Sequence, residues 1–470
     1  MNAANADSRG EHTPYSRLNA LLASRLSDAR IYTSGEWCFL KPMQQALHHA
    51  SGQMTHKVLR HYFGLPVWAF RALHWIKGGA APHHALKETV VMELCRSVEN
   101  SRGEKKSMYF ARILACLDRD RVTVVAGKSG CDCPHDRMLD AAAPLPRRMS
   151  RAEVSMLRHC RRCLRQVKES GQFSREECHY IATALHVFFT AFRRYYHFFR
   201  DQPVKTCLFA PHYLNEGLIA ALRVLGIKSL EIQHGLIAAN DYYYVYPAFV
   251  EKIRHEAMFP DRILVYGPYW KRVLMRGFEF APGQVDIGGD YLYHESTELI
   301  AAADKEPLIL IAAQKNIWKP YVSYVRWLVP FLRQYHPEWK VAVKLHPLEK
   351  NVDAYEALRP LGVELHGRGS ALDNLLQRCS IQITIYSTTL YDALGFGVLN
   401  LSLQDTSDYA DYAADMVREG IALPLKPGED PVALWLQQGT SSVLERSEVY
   451  APFDKRVFQA LQVSAAGKQV

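Results

Sequence analysis

Along the chain, apolar runs of strand length alternate with longer segments whose apolar positions return at helical spacing. Thr89–Leu94 (TVVMEL) and Arg121–Ala126 (RVTVVA) read as strands on either side of a helix over Ser107–Leu117, a βαβ rhythm. Gly127–Ser150 breaks the rhythm with glycine, proline and charge, and two helices follow, Arg151–Ser170 and Ser174–Arg200. It resumes with a strand over Lys205–Ala210, a helix over Glu216–Leu225 stopped by Gly226, and a strand over Ser229–Gln233. Arg262–Tyr266 and Val285–Ile287 are further short strands. After Gly288-Gly289 a second series begins at Pro307, with PLILIAAQ, KVAVKLHP, VELHG, IQITIYSTT and VLNLSL as strands separated by helices.

Strands alternating with helices at this spacing predict parallel sheets covered on both faces. Two such series predict an α/β protein with two doubly wound, Rossmann-like domains facing a cleft. The expected division is an N-terminal helical extension over 1–87, a first domain over 88–290 with a helical insertion at about 127–200, a second domain over 291–430, and C-terminal helices over 431–470 that pack back on the first half.

Composition fits this picture. A length of 470 residues suits two domains, and 48% hydrophobic with 11% aromatic residues suits packed cores. No apolar run reaches the roughly 18 residues needed to cross a bilayer. MNAANADSRGEHTPYSR lacks the apolar core of a secretory signal. The chain therefore reads as cytoplasmic, with its ten cysteines reduced. The formal charge of +9 is concentrated in Met149–Arg200, in RHCRRCLRQVK and AFRRYYHFFR. In the plain reading this is a solvated helix face; in the sharper one it docks on an anionic membrane or a polyanionic acceptor. No helix-turn-helix, zinc-finger or RNA-recognition signature accompanies the charge, so nucleic acid is not an expected partner.

Ligands of open parallel sheets bind beyond the carboxyl ends of the strands. That rule selects Gln233-His234-Gly235, Gln314, Lys344, His346-Pro347 and Ser387-Thr388-Thr389. Lys344 and His346 leave one strand end on the same face, where a cation and an imidazole suit the phosphates of a nucleotide donor; the alternative is a buried polar pair. The hydroxyls of 387–389 precede a helix read over LYDALGFG, so they cap it or, with its N-terminal dipole, hold an anion. His234 is placed to act as acid or base, or to hold a neighbouring loop, and Gly235 permits a sharp turn and close approach of a ligand. Glu216, followed by Gly217, either takes the proton of an attacking hydroxyl or complements the helix dipole. Asp241 and Tyr242–Tyr244 follow on the loop, where tyrosine rings suit sugar faces or simply pack. Cys131, Cys133, Cys160 and Cys163 would make a tetrahedral zinc site only if GCDCPHD and HCRRC came together; the CxC spacing and the helical reading around Cys160 speak against it.

LGIKSLEIQHGLI, PDRILVYGPYW, KVAVKLHP and ITIYSTTLYDALGFG, in that order, resemble bacterial capsule and surface-polysaccharide glycosyltransferases of the GT-B type, over about Thr89–Leu403. Bacterial sialyltransferases of this fold carry an acidic-acidic-Gly motif, an HP motif and a paired serine. Here Glu216-Gly217 matches with Asn215 in place of the first acid, His346-Pro347 matches, and Ser387-Thr388 is similar to the serine pair. Kdo transferases share Gln-His-Gly and HP-like elements, and teichoic-acid polyol-phosphate transferases a His-Gly element with HP and Ser. The resemblance implies transfer of a sugar from a nucleotide-activated donor, CMP-Kdo or CMP-sialic acid foremost, to a glycan or glycolipid acceptor of capsule or lipopolysaccharide. Donor binding is expected in the second domain, with no cofactor beyond the nucleotide-sugar co-substrate and no metal, since Lys344 and His346 would neutralise the leaving phosphate; the charge of 149–200 is what suggests peripheral contact with the inner membrane face. A polyol-phosphate transferase using CDP-glycerol, a nucleotide-sugar epimerase and a non-catalytic polysaccharide assembly protein remain the alternatives.

Overall fold

The computed structural model describes residues 33–44, 85–292 and 305–463, apart from 100–101, 128–130, 140–144, 147, 214, 238–242, 245, 247–248, 316, 368–369, 371, 405–409 and 440–443. The chain divides into two compact units, one of Met1–Tyr293 with Ala451–Val470, the other of His294–Tyr450. Most of the expected N-terminal helical extension lies outside the described residues. The described 33–44 form a bridge between Thr33 and Cys38 and a helical turn from Leu40.

The first unit is built on a seven-stranded sheet. Its strands are β1 (Thr89–Glu93), β4 (Val122–Ala126), β5 (Arg137–Met138), β6 (Thr206–Phe209), β7 (Lys228–Ile232), β8 (Arg262–Val265) and β9 (Val285–Ile287). Their order is β5-β4-β1-β6-β7-β8-β9, and every pairing is parallel. β2 (Ser97–Glu99) and β3 (Lys105–Ser107) form a separate antiparallel pair that periodicity did not predict. The second unit carries β10 (Glu306–Ala312), β11 (Lys340–Lys344), β12 (Glu364–His366), β13 (Cys379–Thr384), β14 (Leu399–Leu403) and β15 (Leu423–Leu425). Their order is β12-β11-β10-β13-β14-β15, again all parallel. Both sheets are thus wound outward in two directions from their first strand, the 3-2-1-4-5-6 arrangement of nucleotide-binding sheets. The two doubly wound units expected from the sequence are present. β1, β4, β6 and β13 are buried along their whole length, as strands covered on both faces must be.

Helices pack on these sheets through apolar stripes. α1 (Ala111–Cys116) is short; α2 (Arg151–Glu169) and α3 (Arg175–Phe199) are long, and each opens with a capping box, Ser150 with Glu153 and Ser174 with Glu177. Glu153 does a second job. Its fully buried carboxylate takes Arg193 Nε at 2.5 Å and His197 Nε2 at 2.9 Å, tying the start of α2 to the end of α3. Burial opposes the charge, but hydrogen bonds from His197, the Ser150 backbone and Arg193 outweigh it and pull the carboxyl down to about 2. α4 (Glu216–Leu225) ends on Gly226 in the left-handed conformation, as its sequence suggests.

The segment over 431–450, expected to pack on the first half, groups with the second unit. The reason is local. Asp430 pairs with His336 at 3.0 Å, Trp435 meets Trp339 edge-on, and Arg446 donates to the Asp392 and Leu394 carbonyls at 2.9 Å. The chain rejoins the first unit from Ala451, where Ala451 N–H donates to the Tyr266 carbonyl at 3.0 Å and Asp290 N–H to the Ala451 carbonyl at 2.8 Å. Gly289, with φ +78°, makes this seam possible: a Cβ there would lie 2.2 Å from the Pro452 carbonyl oxygen. Gly289→Ala is therefore expected to destabilise the first unit by about 2–4 kcal/mol, through overlap with backbone and a strained φ. Urea denaturation of the full chain measures this; an unchanged midpoint would refute the seam.

Candidate functional site

In the first unit the strand ends carry a buried polar network. β7 runs Lys-Ser-Leu-Glu-Ile, and because both faces of the sheet are covered, Glu231 is as inaccessible as the leucine before it. Its carboxylate faces His212 Nδ1 at 2.6 Å and accepts from the Tyr244 hydroxyl at 3.2 Å; His212 Nε2 meets the Tyr246 hydroxyl at 2.9 Å. Burial, with Glu216 and Glu231 adding to it, keeps the Tyr246 phenol protonated. Neither His212 nor Glu231 was singled out from the sequence. The usable signal was a carboxylate within a strand buried on both faces, which must find a partner.

His234, just beyond β7, is half-buried. Its Nε2 meets the Tyr213 hydroxyl at 3.2 Å, its carbonyl accepts from the Tyr109 hydroxyl at 2.7 Å, and its Nδ1 is buried with no partner among the described residues. Burial lowers the imidazole to about 4, with Glu231 opposing the shift and Arg96 and His212 adding to it. Such a ring is neutral at pH 7 and a weaker base than ordinary histidine. Tyr213 stacks on Tyr243 with centroids 4.1 Å apart, so aromatic faces do gather beside the imidazole.

Glu216 is the first residue of α4 and is buried. Asn215 spends its side-chain amide on the Pro211 carbonyl at 2.7 Å rather than capping the helix. Gly217 has a packing role: a Cβ there would lie 2.8 Å from Phe192 N, so only glycine lets α4 lie this close to α3. At Gly235, by contrast, a Cβ would meet nothing within 4 Å, so packing in this unit does not demand glycine there. Gln233, expected at the donor, is fully buried and its amide is engaged by backbone. Its oxygen accepts from Tyr266 N–H at 3.0 Å and its nitrogen donates to the Gly235 carbonyl at 2.9 Å. Asp241 lies outside the described residues.

The second unit gathers its candidates on three neighbouring strands. Lys344 closes β11, Ala313-Gln314 follow β10, and Tyr386-Ser387 lie just beyond β13. Ala313 N–H donates to the Lys344 carbonyl at 3.0 Å, and Gln314 Oε1 accepts from Tyr386 N–H at 3.0 Å and the Tyr321 hydroxyl at 2.7 Å. Gln314 is thus a brace across the switch from β10 to β13, the counterpart of Gln233 between β7 and β8. Lys344 is 7% exposed, donates from Nζ to the Leu345 carbonyl at 2.8 Å, and is lowered by burial to about 8. His346 Nδ1 accepts from Leu348 N–H at 3.0 Å, so the neutral ring carries its proton on Nε2. Pro347 is exposed.

The helix after 387–389 is shorter than expected. Only Thr389–Asp392 is helical, so the dipole argument for an anion there loses its basis. The hydroxyls remain: Ser387 Oγ accepts from Thr389 N–H at 3.3 Å, Thr389 Oγ1 accepts from Gln382 Nε2 at 2.8 Å, and Thr388 makes no side-chain cap. All three residues are half-buried.

The cysteine expectations are corrected. Cys131 is bonded to Cys95 in a disulfide, so it is neither a reduced thiol nor a zinc ligand. Cys160 and Cys163 face the apolar side of α2, where burial raises both thiols, and Cys133 is buried elsewhere. No group of three metal-ligating side chains occurs among the described residues, and no described helix is long and apolar enough to cross a membrane.

No protein-family model matches the chain, and no curated protein matches it. Solved structures do. UDP-GlcNAc 2-epimerase from Neisseria meningitidis, bound to UDP-GlcNAc, is 13% identical with a TM-score of 0.47, over 82% of this chain and 100% of that one. MurG from Acinetobacter baumannii is 14% identical with a TM-score of 0.42, over 80% and 99%. HepE from Anabaena, in complex with UDP and glucose, is 10% identical with a TM-score of 0.41, over 82% and 100%.

The brace at the β10–β13 switch is directly testable. Gln314→Met withdraws the acceptor used by Tyr386 N–H and the Tyr321 hydroxyl, and is expected to cost about 1–3 kcal/mol of unfolding free energy. A urea midpoint equal to wild type would contradict the brace.

Proposed function

We propose that the protein is a GT-B-type glycosyltransferase that takes a sugar from a nucleotide-activated donor, a CMP-sugar such as CMP-Kdo or CMP-sialic acid, and passes it to a glycan or glycolipid of capsule or lipopolysaccharide. The observation that carries this reading is Lys344, a buried lysine at a strand end beside the switch point of a 3-2-1-4-5-6 sheet, with His346 two residues on. A buried ammonium favours an anionic partner, and a phosphate beside it would restore its pKa. In this reading Lys344 and the His346 Nε2–H stabilise charge on the departing nucleotide phosphate, the role a divalent cation otherwise fills. The Ser387 and Thr388 hydroxyls orient the phosphate oxygens. Gln233 and Gln314 act indirectly, by holding the strand ends. In the first unit the acceptor hydroxyl meets His234 or Glu216, and the Tyr213 and Tyr243 rings lie beside the imidazole. Tight positioning of donor and acceptor, more than base strength, then supplies the rate, because His234 is a weak base.

The proposed peripheral membrane contact is supported by α2. Arg151, Arg158, Arg161, Arg165 and Lys168 are all exposed, at spacings that keep them on one helical face. Binding to anionic vesicles that weakens steeply with salt, and that a charge-reversed Arg158→Glu/Arg161→Glu/Arg165→Glu variant loses, is expected from co-sedimentation. Equal sedimentation of the two proteins would refute it.

The donor assignment is tested in two steps. Among CMP, CDP, UDP and GDP, a cytidine nucleotide should raise the melting temperature most. His346→Ala should then lower sugar transfer by about 10²–10³-fold while the unliganded melting temperature stays near wild type. Near wild-type turnover in that variant, or isomerised nucleotide sugar formed without any acceptor, would overturn the reading.

A further inference from the structure

We propose that Tyr109 is a positioning residue for His234, and that the Cys95–Cys131 disulfide holds it in place. The inference rests on the reading of His234 as a group that meets the acceptor.

Three links join the crosslink to the imidazole. Cys95 follows β1 by two residues, at φ 56°, and is bonded to Cys131, 36 residues away. Its neighbour Arg96 donates from its guanidinium to the Tyr109 hydroxyl at 3.0 Å. The Tyr109 hydroxyl donates in turn to the His234 carbonyl at 2.7 Å. Tyr109 is 3% exposed, so this hydroxyl is spent inside the unit rather than on solvent.

The small β2–β3 sheet is the frame for these contacts. Met108 N–H closes it against the Arg96 carbonyl at 2.8 Å, and Ser97 pairs with Ser107. Asp132, next to Cys131, reaches both strands, accepting from Ser97 Oγ at 3.1 Å and Lys105 Nζ at 2.8 Å. Both members of that ion pair are about half exposed, so it contributes little by itself. The covalent bond is the stronger tie between the 131–133 segment and the residues that hold His234. The other end of the clamp is equally local: Cys95 N–H donates to Glu93 Oε1 at 3.1 Å, at the tip of β1.

The remaining eight cysteines are free thiols, so a dithiol reductant has one disulfide to act on. Dithiothreitol closes its own cyclic disulfide, its two electrons cleave Cys95–Cys131, and its two protons pass to the cysteine sulfurs. With the tie cut, the Arg96–Tyr109 pair loosens, the His234 backbone loses a fixed donor, and water reaches the ring.

The experiment uses the full chain purified without reductant and labelled with ¹³C at the histidine Cε1. The His234 resonance is identified by its absence in His234→Gln. Dithiothreitol is expected to raise the His234 titration midpoint from about 4 toward the ordinary value, since it was burial that lowered it. It should also lower kcat for sugar transfer about tenfold at unchanged donor KM, a loss of positioning rather than of binding. Tyr109→Phe should reproduce both effects in the oxidised protein. A Cys95→Ser/Cys131→Ser variant should show them without reductant and respond no further. Iodoacetamide labelling with mass spectrometry reports whether the two thiols are free. Two freed thiols with an unmoved His234 midpoint would overturn the proposal, as would ten free thiols in the protein as isolated. A moved midpoint with unchanged transfer would overturn the positioning role and remove His234 from the reaction. Absence of transfer in every state would remove the transferase reading, while the titration still decides whether the clamp exists.

Discussion

Parallel strands that end side by side leave backbone N–H groups beyond the last ladder bond, and in a sheet covered on both faces water cannot reach them. The structure answers this constraint twice with a buried glutamine. Gln314 takes the Tyr386 N–H across the β10–β13 switch, and Gln233 takes the Tyr266 N–H between β7 and β8. In the first unit Tyr291 adds a third tie, donating to the Gln233 carbonyl at 2.9 Å. Everything proposed about chemistry depends on these braces, because they determine where the chain leaves the sheet. His234 departs directly after one glutamine, and Ser387 directly after the tyrosine held by the other.

The same covering of both faces explains why buried polar groups in this chain carry information. Lys344, Glu231 and Glu93 all lie in or at the end of parallel strands and are almost wholly inaccessible. Glu231 meets His212 and Tyr244, and His212 in turn meets Tyr246, so the group reads as a finished internal network. Lys344 is different in kind. It is a buried cation at a strand end, it donates to the Leu345 carbonyl, and burial lowers its pKa to about 8. The proposed function assigns the nucleotide phosphate to the second unit and the acceptor to the neutral, weakly basic His234 of the first.

Much of the architecture could be read from the chain. The alternation of apolar runs and helical segments located most of the large strands to within a residue or two, and Gly226 stopped its helix; β11 and β13, however, end at Lys344 and Thr384, ahead of the His346-Pro347 and Ser387–Thr389 that were read into them. What escaped had physical reasons. The β2–β3 pair is three residues per strand and β3 is largely solvated, so it has no apolar period to detect. The partner of Cys131 sits 36 residues away, a pairing that spacing cannot supply. Glu231 stands alone between apolar neighbours in its strand, and its partner His212 is 19 residues away, so no local pattern marks the pair. The helix after Thr389 stops at Asp392, and Gly395 and Gly397 then take positive φ, so the chain turns where a longer helix was expected. Gln233 and Gln314 were located correctly at strand ends, but their side chains serve the backbone.

The central claim is that the carboxyl ends of β10, β11 and β13 receive the phosphate of an activated sugar. Amide hydrogen exchange of the full chain, with and without saturating cytidine nucleotide, tests it most directly. The account predicts slowed exchange in peptides covering 313–315, 344–349 and 386–391, with no change at the opposite ends of the same strands. Protection confined to other parts of the chain, under conditions where the nucleotide is bound, would contradict it.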